Sequence, residues 1–325
     1  MDQNHHAGFW CPDCDGFTGF DAKSDARHRM LLFLEQRKTM QSDQILPELP
    51  QRHLKKRLSP LRYPGGKSKV IDWIYRRLQA DKVNTFVEVF AGGASLGLSL
   101  LDSGTIKRLV LNDLDPLVYA FWHTLLNYPA YLISRIESEP PTLSRFWIAK
   151  HLCANCRQPS IPMKELAWAF FLLNRTCFSG IISANPICGK NGTDQKLSVR
   201  WNADSLIQRI RRISAMSSKI DLFQMDCCDF LEQYAYWYPN STCFIDPPYV
   251  AKGAELYTTC FQKKDHERLA FTLESLYTGM PGADLILTYD DCPMIRNLYQ
   301  FASIEMLPCY YSISRQRIER EGKSG

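Results

Sequence analysis

The chain has 325 residues, a formal net charge of +5, 45% apolar and 22% charged residues, so it can bury a full core and is too balanced for a disordered or fibrous protein. No apolar run approaches the roughly 20 residues a membrane helix needs, and the N-terminus (MDQNHHAGFWCPDCDG) lacks a signal segment's basic start and apolar core, so a cytoplasmic protein is expected. The twelve cysteines, scattered apart from the adjacent Cys227 and Cys228, argue against a disulfide framework and for reduced thiols or metal ligands.

No internal repeat is present. Residues 1 to about 56 are rich in His, Asp and Cys, with a helix expected near Ala26–Lys38 and a proline-bounded linker at Pro47–Pro50. Between Arg52 and Arg77 nine basic side chains (Arg52, Lys55, Lys56, Arg57, Arg62, Lys67, Lys69, Arg76 and Arg77) accompany one acid, Asp72. Such a run is either a solvated face or a contact with a phosphate backbone.

Within it, Leu61 to Ser68 (LRYPGGKS) ends like a phosphate-binding loop. A Walker loop needs a glycine where Leu61 stands, so the GGK turn serves another ligand or is only a turn. Val70, Ile71, Ile74 and Leu78 then recur at helical spacing.

Thr85 to Phe90 reads as a buried strand, Gly92-Gly93 as a turn, and Ala94–Leu101 as a helix stopped near Gly104. Arg108–Leu111 is a second strand, followed by Asn112–Pro116 and a helix to about Tyr128. Strand, glycine turn, helix, strand and acid are the βαβ grammar of a doubly wound sheet.

The grammar lapses from Pro129 to about Asn202, a helix-rich, aromatic stretch with a polar loop at Asn185–Lys196. It resumes with a helix at Ser205–Met216, strands at Asp221–Met225 and Thr242–Asp246, a helix at Lys264–Leu276, and strands at Asp284–Tyr289 and near Ile304–Cys309. An insertion within one sheet domain accounts for this order.

Three places carry chemistry. Phe90 to Gly93 (FAGG) ends a strand and opens a helix, where glycines let backbone approach a ligand. Asp113 ends the next strand and reads either as an acceptor for ribose hydroxyls or as a helix N-cap. Cys243 to Val250 (CFIDPPYV) runs an apolar strand into Asp246, Pro247, Pro248 and Tyr249. A carboxylate and a proline carbonyl can accept from an NH₂ group while the ring stacks on its plane; the bland alternative is a rigid strand exit.

DPPY after FxGG after PGGK, with a helical insertion between the second and third, resembles the Dam-type adenine-N6 DNA methyltransferases of the alpha motif order. The resemblance runs from about Leu58 to the end and includes Asn174–Gly180 (NRTCFSG) and Ser198–Asn202 (SVRWN). It implies a Rossmann-like, mostly parallel doubly wound α/β sheet: an extension at 1–56, a cofactor-binding part at 57–129, a target-recognition insertion at 130–204 and a DPPY part at 205–325. Tyr63, Lys67, Phe90, Ala91, Gly92, Gly93, Asp113, Asp229 and Phe230 would line an S-adenosylmethionine pocket, with Asp113 on the ribose and Phe230 on the adenine. Asp246, Pro247, Pro248 and Tyr249 would grip the target base. Asn174, Arg175, Ser179, Gly180 and Arg200 would meet double-stranded DNA, bound by a monomer.

An adenine N6 amine is a poor nucleophile because its lone pair is delocalised into the ring. Hydrogen bonds from both N–H groups to Asp246 and the Pro247 carbonyl would favour a tetrahedral nitrogen, leaving positioning and electrostatics to lower the barrier. The base must leave the duplex to get there.

Two features depart from the family. Ser179 stands where Asn is commoner, and the chain stops where relatives continue into a last strand, which would leave a sheet edge unpaired. In the extension, Cys11 and Cys14 would supply half a zinc site, with His28 or His5 and His6 as partners, and in the insertion Cys153 and Cys156 with His151 would supply another half; each pair reads equally as two unconnected thiols. The rival functions are methylation of cytosine N4 or a glutamine amide, and DNA binding without turnover.

Overall fold

A computed structural model describes residues 28–34, 54, 58–62, 71–78, 83–234, 238, 240–250, 261–279 and 284–308. The strands are β1 (His28–Leu34), β2 (Thr85–Glu88), β3 (Arg108–Asn112), β4 (Ile220–Phe223), β5 (Ser241–Ile245), β6 (Asp284–Asp290) and β7 (Ser303–Pro308). They form one sheet in the order β4-β3-β2-β5-β6-β1-β7. The first five run parallel, whereas β1 is antiparallel to both β6 and β7.

Alternation along the parallel strands divides the core into two layers. Phe86, Leu109, Leu111, Phe244 and Ile286 face one cluster, and Val87, Val110, Cys243, Ile245, Leu285 and Leu287 face the other. Strands buried on both faces read as continuous apolar runs, which is why the sequence announces them.

On the first face lie helices α1 (Ile71–Tyr75), α2 (Ser95–Asp102), α3 (Pro116–Asn127), α4 (Pro129–Ser138), α5 (Leu143–Ala154), α6 (Met163–Thr176), a short α7 (Asp194–Leu197) and α8 (Ala203–Ser214). The second carries α9 (Cys227–Tyr234), α10 (Lys263–Gly279) and α11 (Pro293–Leu298). In α8, Leu206, Ile207, Ile210 and Ile213 are buried at spacings of one, three and three, and the Asn202 side chain accepts from the Ser205 N–H to cap the first turn. Helix α6 is buried along most of its length, so it is the central column of the insertion.

One expectation changes. The helix expected near Ala26–Lys38 is a strand over His28–Leu34. Its run Met30–Leu34 (MLLFL) has neither a period of 2 nor one of 3.6, and pairing with β6 and β7 decides the outcome. This strand also covers the edge of β6, and β7 joins the sheet through it, while the residues after Pro308, where a last strand was expected to be missing, lie outside the described ones. The segment beginning this chain is thus part of its sheet.

Candidate active site and nucleic-acid face

The strand order reverses between β2 and β5: the chain winds outward through β3 and β4, then returns to the other side of β2. Open α/β sheets bind ligands at such a switch point, beyond the carboxyl ends of the strands. Three of the sequence's candidates converge there. Phe90 to Gly93 follow β2, Asp113 follows β3 and Asp246 follows β5, on three neighbouring strands.

The glycine turn is held from several sides. Gly92 has φ 44°, in the left-handed region glycine tolerates, and Ala94 adopts φ 46° at a steric cost. The Gly92 N–H donates to Asp113 Oδ2 at 2.8 Å, and the Trp122 indole N–H of α3 donates to the Gly92 carbonyl at 2.9 Å. Asp113 also accepts the Asp115 N–H at 3.0 Å. The N-cap of α3 is Asp115, whose carboxylate takes the Leu117 N–H, so Asp113 does not cap the helix. Burial, reinforced by the charge of Asp115, pushes the Asp113 carboxyl up to about 7 against the pull of its two backbone donors.

Sequence reasoning missed Asn112. Its buried amide donates to the carbonyls of Val89 and Met225 and accepts the Met225 N–H, tying together the ends of β2, β3 and β4.

At the end of β5, Asp246 Oδ1 accepts the Tyr249 hydroxyl at 3.0 Å and the Thr288 hydroxyl of β6 at 2.5 Å. The Val250 N–H donates to Asp290 of β6 at 3.2 Å. Pro247 is buried, while Asp246, Pro248 and Tyr249 are partly exposed. Phe90 packs edge-on against Phe261.

Phe230 is placed differently from the expectation. Phe230 is fully buried on α9 between Phe223 and Tyr234, so it presents no face to a cofactor ring. Phe223, half-buried at the end of β4, offers its carbonyl to the Asp113 N–H. Asp229 pairs with Arg268, which also binds Asp226 at 3.0 Å. Tyr63 and Lys67, expected in the cofactor pocket, lie outside the described residues.

Of the residues expected on DNA, Asn174 and Gly180 turn inward. Asn174 is 1% exposed; its amide accepts the Arg62 N–H at 2.7 Å and donates to the Arg62 carbonyl at 2.8 Å. Gly180 is buried against the same carbonyl, where a Cβ would collide, and its φ of 79° suits glycine. These two residues therefore fasten the segment before PGGK to the insertion. Ser179 sits at φ 55°, a conformation asparagine tolerates better than serine, which gives the family's commoner residue a backbone reason.

Arg175 and Arg200 belong to a cationic cluster with Arg62 and Arg209. Burial and the three neighbouring guanidiniums lower Arg175 to about 10, leaving it charged at neutral pH. Arg175 spends two N–H groups on the carbonyls of Pro60 and Arg200, and among the described residues none of its bonds goes to a carboxylate. Arg200 and Val199 are exposed, as is Phe178, which the strained Ser179-Gly180 turn carries outward.

Zinc finds no support. Cys11 and Cys14 lie outside the described residues, and burial raises the thiols of Cys153 and Cys156, disfavouring thiolates. Among the described residues the one group of three potential ligands is Asp226, Cys227 and Cys228.

Residues 63–312, most of the chain, match the D12 class of N6 adenine-specific DNA methyltransferases. Type II methyltransferase M.MjaIII of Methanocaldococcus jannaschii is 20% identical over 63% of this chain and 73% of its own length. Modification methylase StsI of Streptococcus sanguinis is 25% identical over 59% of this chain and 28% of its own. The DNA N-6-adenine-methyltransferase of Escherichia phage P1 is 25% identical over 78% of this chain and 32% of its own, so the chain spans about a third or less of these last two relatives. The chain belongs to the D12 class of N6 adenine-specific DNA methyltransferases, enzymes that methylate adenine N6 in DNA from S-adenosylmethionine. No helix among the described residues is long and apolar enough to cross a membrane.

Proposed function

We propose that this chain methylates the N6 amine of an adenine flipped out of double-stranded DNA, with Asp246, Pro247, Pro248 and Tyr249 gripping the base and residues 130–204 choosing the sequence. The observation that carries the reading is the placement of Asp246 and of the Gly92–Asp113 pair at the ends of neighbouring strands on the switch point.

The residues fit the methyl donor. A carboxylate beside a glycine turn suits a ribose diol; Phe90, Ala91 and Gly93 belong to the same turn after β2, and the half-buried Phe223 offers its carbonyl to the Asp113 N–H. Tyr63, Lys67 and Asp229 are assigned to the same pocket through the family resemblance. S-adenosylmethionine supplies a methyl group already activated on a sulfonium. Asp246 and the Pro247 carbonyl accept from the amine and favour the tetrahedral nitrogen, Tyr249 holds the base plane, and positioning contributes most of the rate. The proton leaves the nitrogen with methylation, and the Asp246 carboxylate is the nearest acceptor.

Arg175 and Arg200, clustered with Arg62 and Arg209, suit duplex phosphates because four guanidiniums are gathered beside one another at the end of α6. Phe178, 51% exposed on a turn with positive φ at its next two residues, suits the gap left by an extruded base. Ser179 sets that turn, and Asn174 and Gly180 act on DNA only through the segment they hold. The enzyme acts as a cytoplasmic monomer, in a restriction–modification or solitary setting. Zinc at Cys11 and Cys14 is a separate proposal, refuted by purified protein without stoichiometric metal.

The test compares Asp246→Ala with wild type on duplex DNA. Methyl transfer should fall at least about a hundredfold with cofactor affinity unchanged, and the product should be N6-methyladenine. Modified cytosine alone, or a fully active variant, refutes the reading.

A further inference from the structure

Thr288 serves no purpose in the motifs that define the family site, yet its position is specified from four directions. It lies on β6, 1% exposed, and its hydroxyl donates to Asp246 Oδ1 at 2.5 Å. Strands β5 and β6 are parallel, and their register ends with Ile245 opposite Leu287; one residue further, Asp246 lies beside Thr288. Across the other edge of β6, Thr288 pairs with Leu31 of β1. Two residues along, Asp290 accepts the Val250 N–H, so one face of β6 holds both ends of the Asp246–Val250 segment.

We infer that Thr288 is a positioning residue for methyl transfer, fixing the plane of the Asp246 carboxylate before the base arrives. The inference rests on the reading that Asp246 grips the target amine. Two hydroxyls converge on one carboxylate oxygen, but they differ in kind. Tyr249 sits in the same loop as Asp246 and must also meet the base, so its hydroxyl moves with the loop. Thr288 belongs to a strand bonded on both sides, and its β-branched side chain has few rotamers. It is the fixed reference against which the carboxylate is set.

A hydroxyl bonded to a charged carboxylate contributes more than a neutral pair. Its larger effect here is geometric, because a carboxylate free to rotate presents its acceptor to the amine in a fraction of its orientations. The loss therefore belongs in the chemical step, not in the binding of either substrate.

The experiment measures single-turnover methyl transfer at saturating DNA and S-adenosylmethionine for Thr288→Val, Thr288→Ser and Asp246→Ala, with cofactor affinity by calorimetry and melting by circular dichroism. Valine keeps the shape and removes the donor: the rate should fall about ten- to a hundredfold, as for loss of a bond to a charged group, with cofactor and DNA affinities within about twofold of wild type. Serine restores the hydroxyl and should keep the rate within about threefold of wild type. A valine variant at the wild-type rate, or a serine variant as slow as valine, overturns the inference. If valine proves unfolded, Thr288→Ala against Thr288→Ser decides by the same criterion. If Asp246→Ala itself stays active, the underlying assignment of Asp246 is wrong; a dead Asp246→Ala beside a fully active Thr288→Val leaves that assignment standing and refutes Thr288 alone.

Discussion

Removing β1 should unfold the catalytic sheet, although that strand lies outside the residues that match the family. Strand β1 makes six register pairs with β6 and six with β7. An antiparallel ladder carries about one backbone hydrogen bond per pair, each contributing about 1 kcal/mol net, so the strand holds on the order of 10 kcal/mol. That is comparable with the whole net stability of a domain, about 5–15 kcal/mol. The loss would also bare the edges of β6 and β7, the first of which carries Thr288 and Asp290. The assay compares a chain of residues 28–325 with one of residues 35–325 by circular dichroism, thermal melting and methyl transfer. The longer chain should melt cooperatively and retain activity, whereas the shorter one should show no cooperative transition. If the shorter chain melts within about 5 °C of the longer, a shift worth only about 2 kcal/mol at this size, and methylates DNA, the reasoning is refuted.

Three further outcomes follow from single positions. Because Asp113 in the fold keeps its proton up to about 7 whereas an ordinary aspartyl group loses it near 3.8, its contribution to stability is full below 3.8 and is lost as pH rises through about 7. A ribose diol needs the carboxylate, so cofactor affinity should rise about tenfold from pH 6 to a plateau above 7 with a proton released on binding below it; calorimetry in two buffers checks this, and Asp113→Asn should abolish the dependence. Ser179→Asn should raise the melting temperature, corresponding to roughly 0.5–1 kcal/mol, by relieving the left-handed backbone at φ 55°; an unchanged or lower melt would count against it. Arg200→Gln should weaken all duplexes alike and flatten the plot of log affinity against log salt by about one; an effect confined to one sequence would make Arg200 a base reader.

The parallel half of the sheet was legible because strands buried on both faces are continuous apolar runs set between helical periods. The stretch from Thr85 to Leu111 illustrates this, and FAGG, Asp113 and DPPY fell at strand ends as that grammar requires. Strand β1 was not legible, since a short apolar run fits either structure and its partners lie more than 250 residues away. Phe230 was misjudged for a related reason: α9 turns it into the aromatic cluster, and local sequence does not say which face of a short helix meets the core. Asn174 was expected to meet DNA, but Arg62, 112 positions earlier, is the partner its amide meets. Thr288 and Asn112 carry no motif, and their roles appear only once neighbouring strands are in register.

The grip of Asn174 on both backbone groups of Arg62 has a thermodynamic consequence. Helix α6 carries Arg175 on the proposed DNA side, while Arg62 immediately precedes the segment assigned to the cofactor. If DNA binding shifts α6, the shared backbone clamp would carry that shift to Arg62, and any gain in cofactor affinity that resulted would be returned to DNA as the same free energy. Such reciprocity would let an enzyme that must search long stretches of duplex hold its target more tightly when a methyl donor is in place.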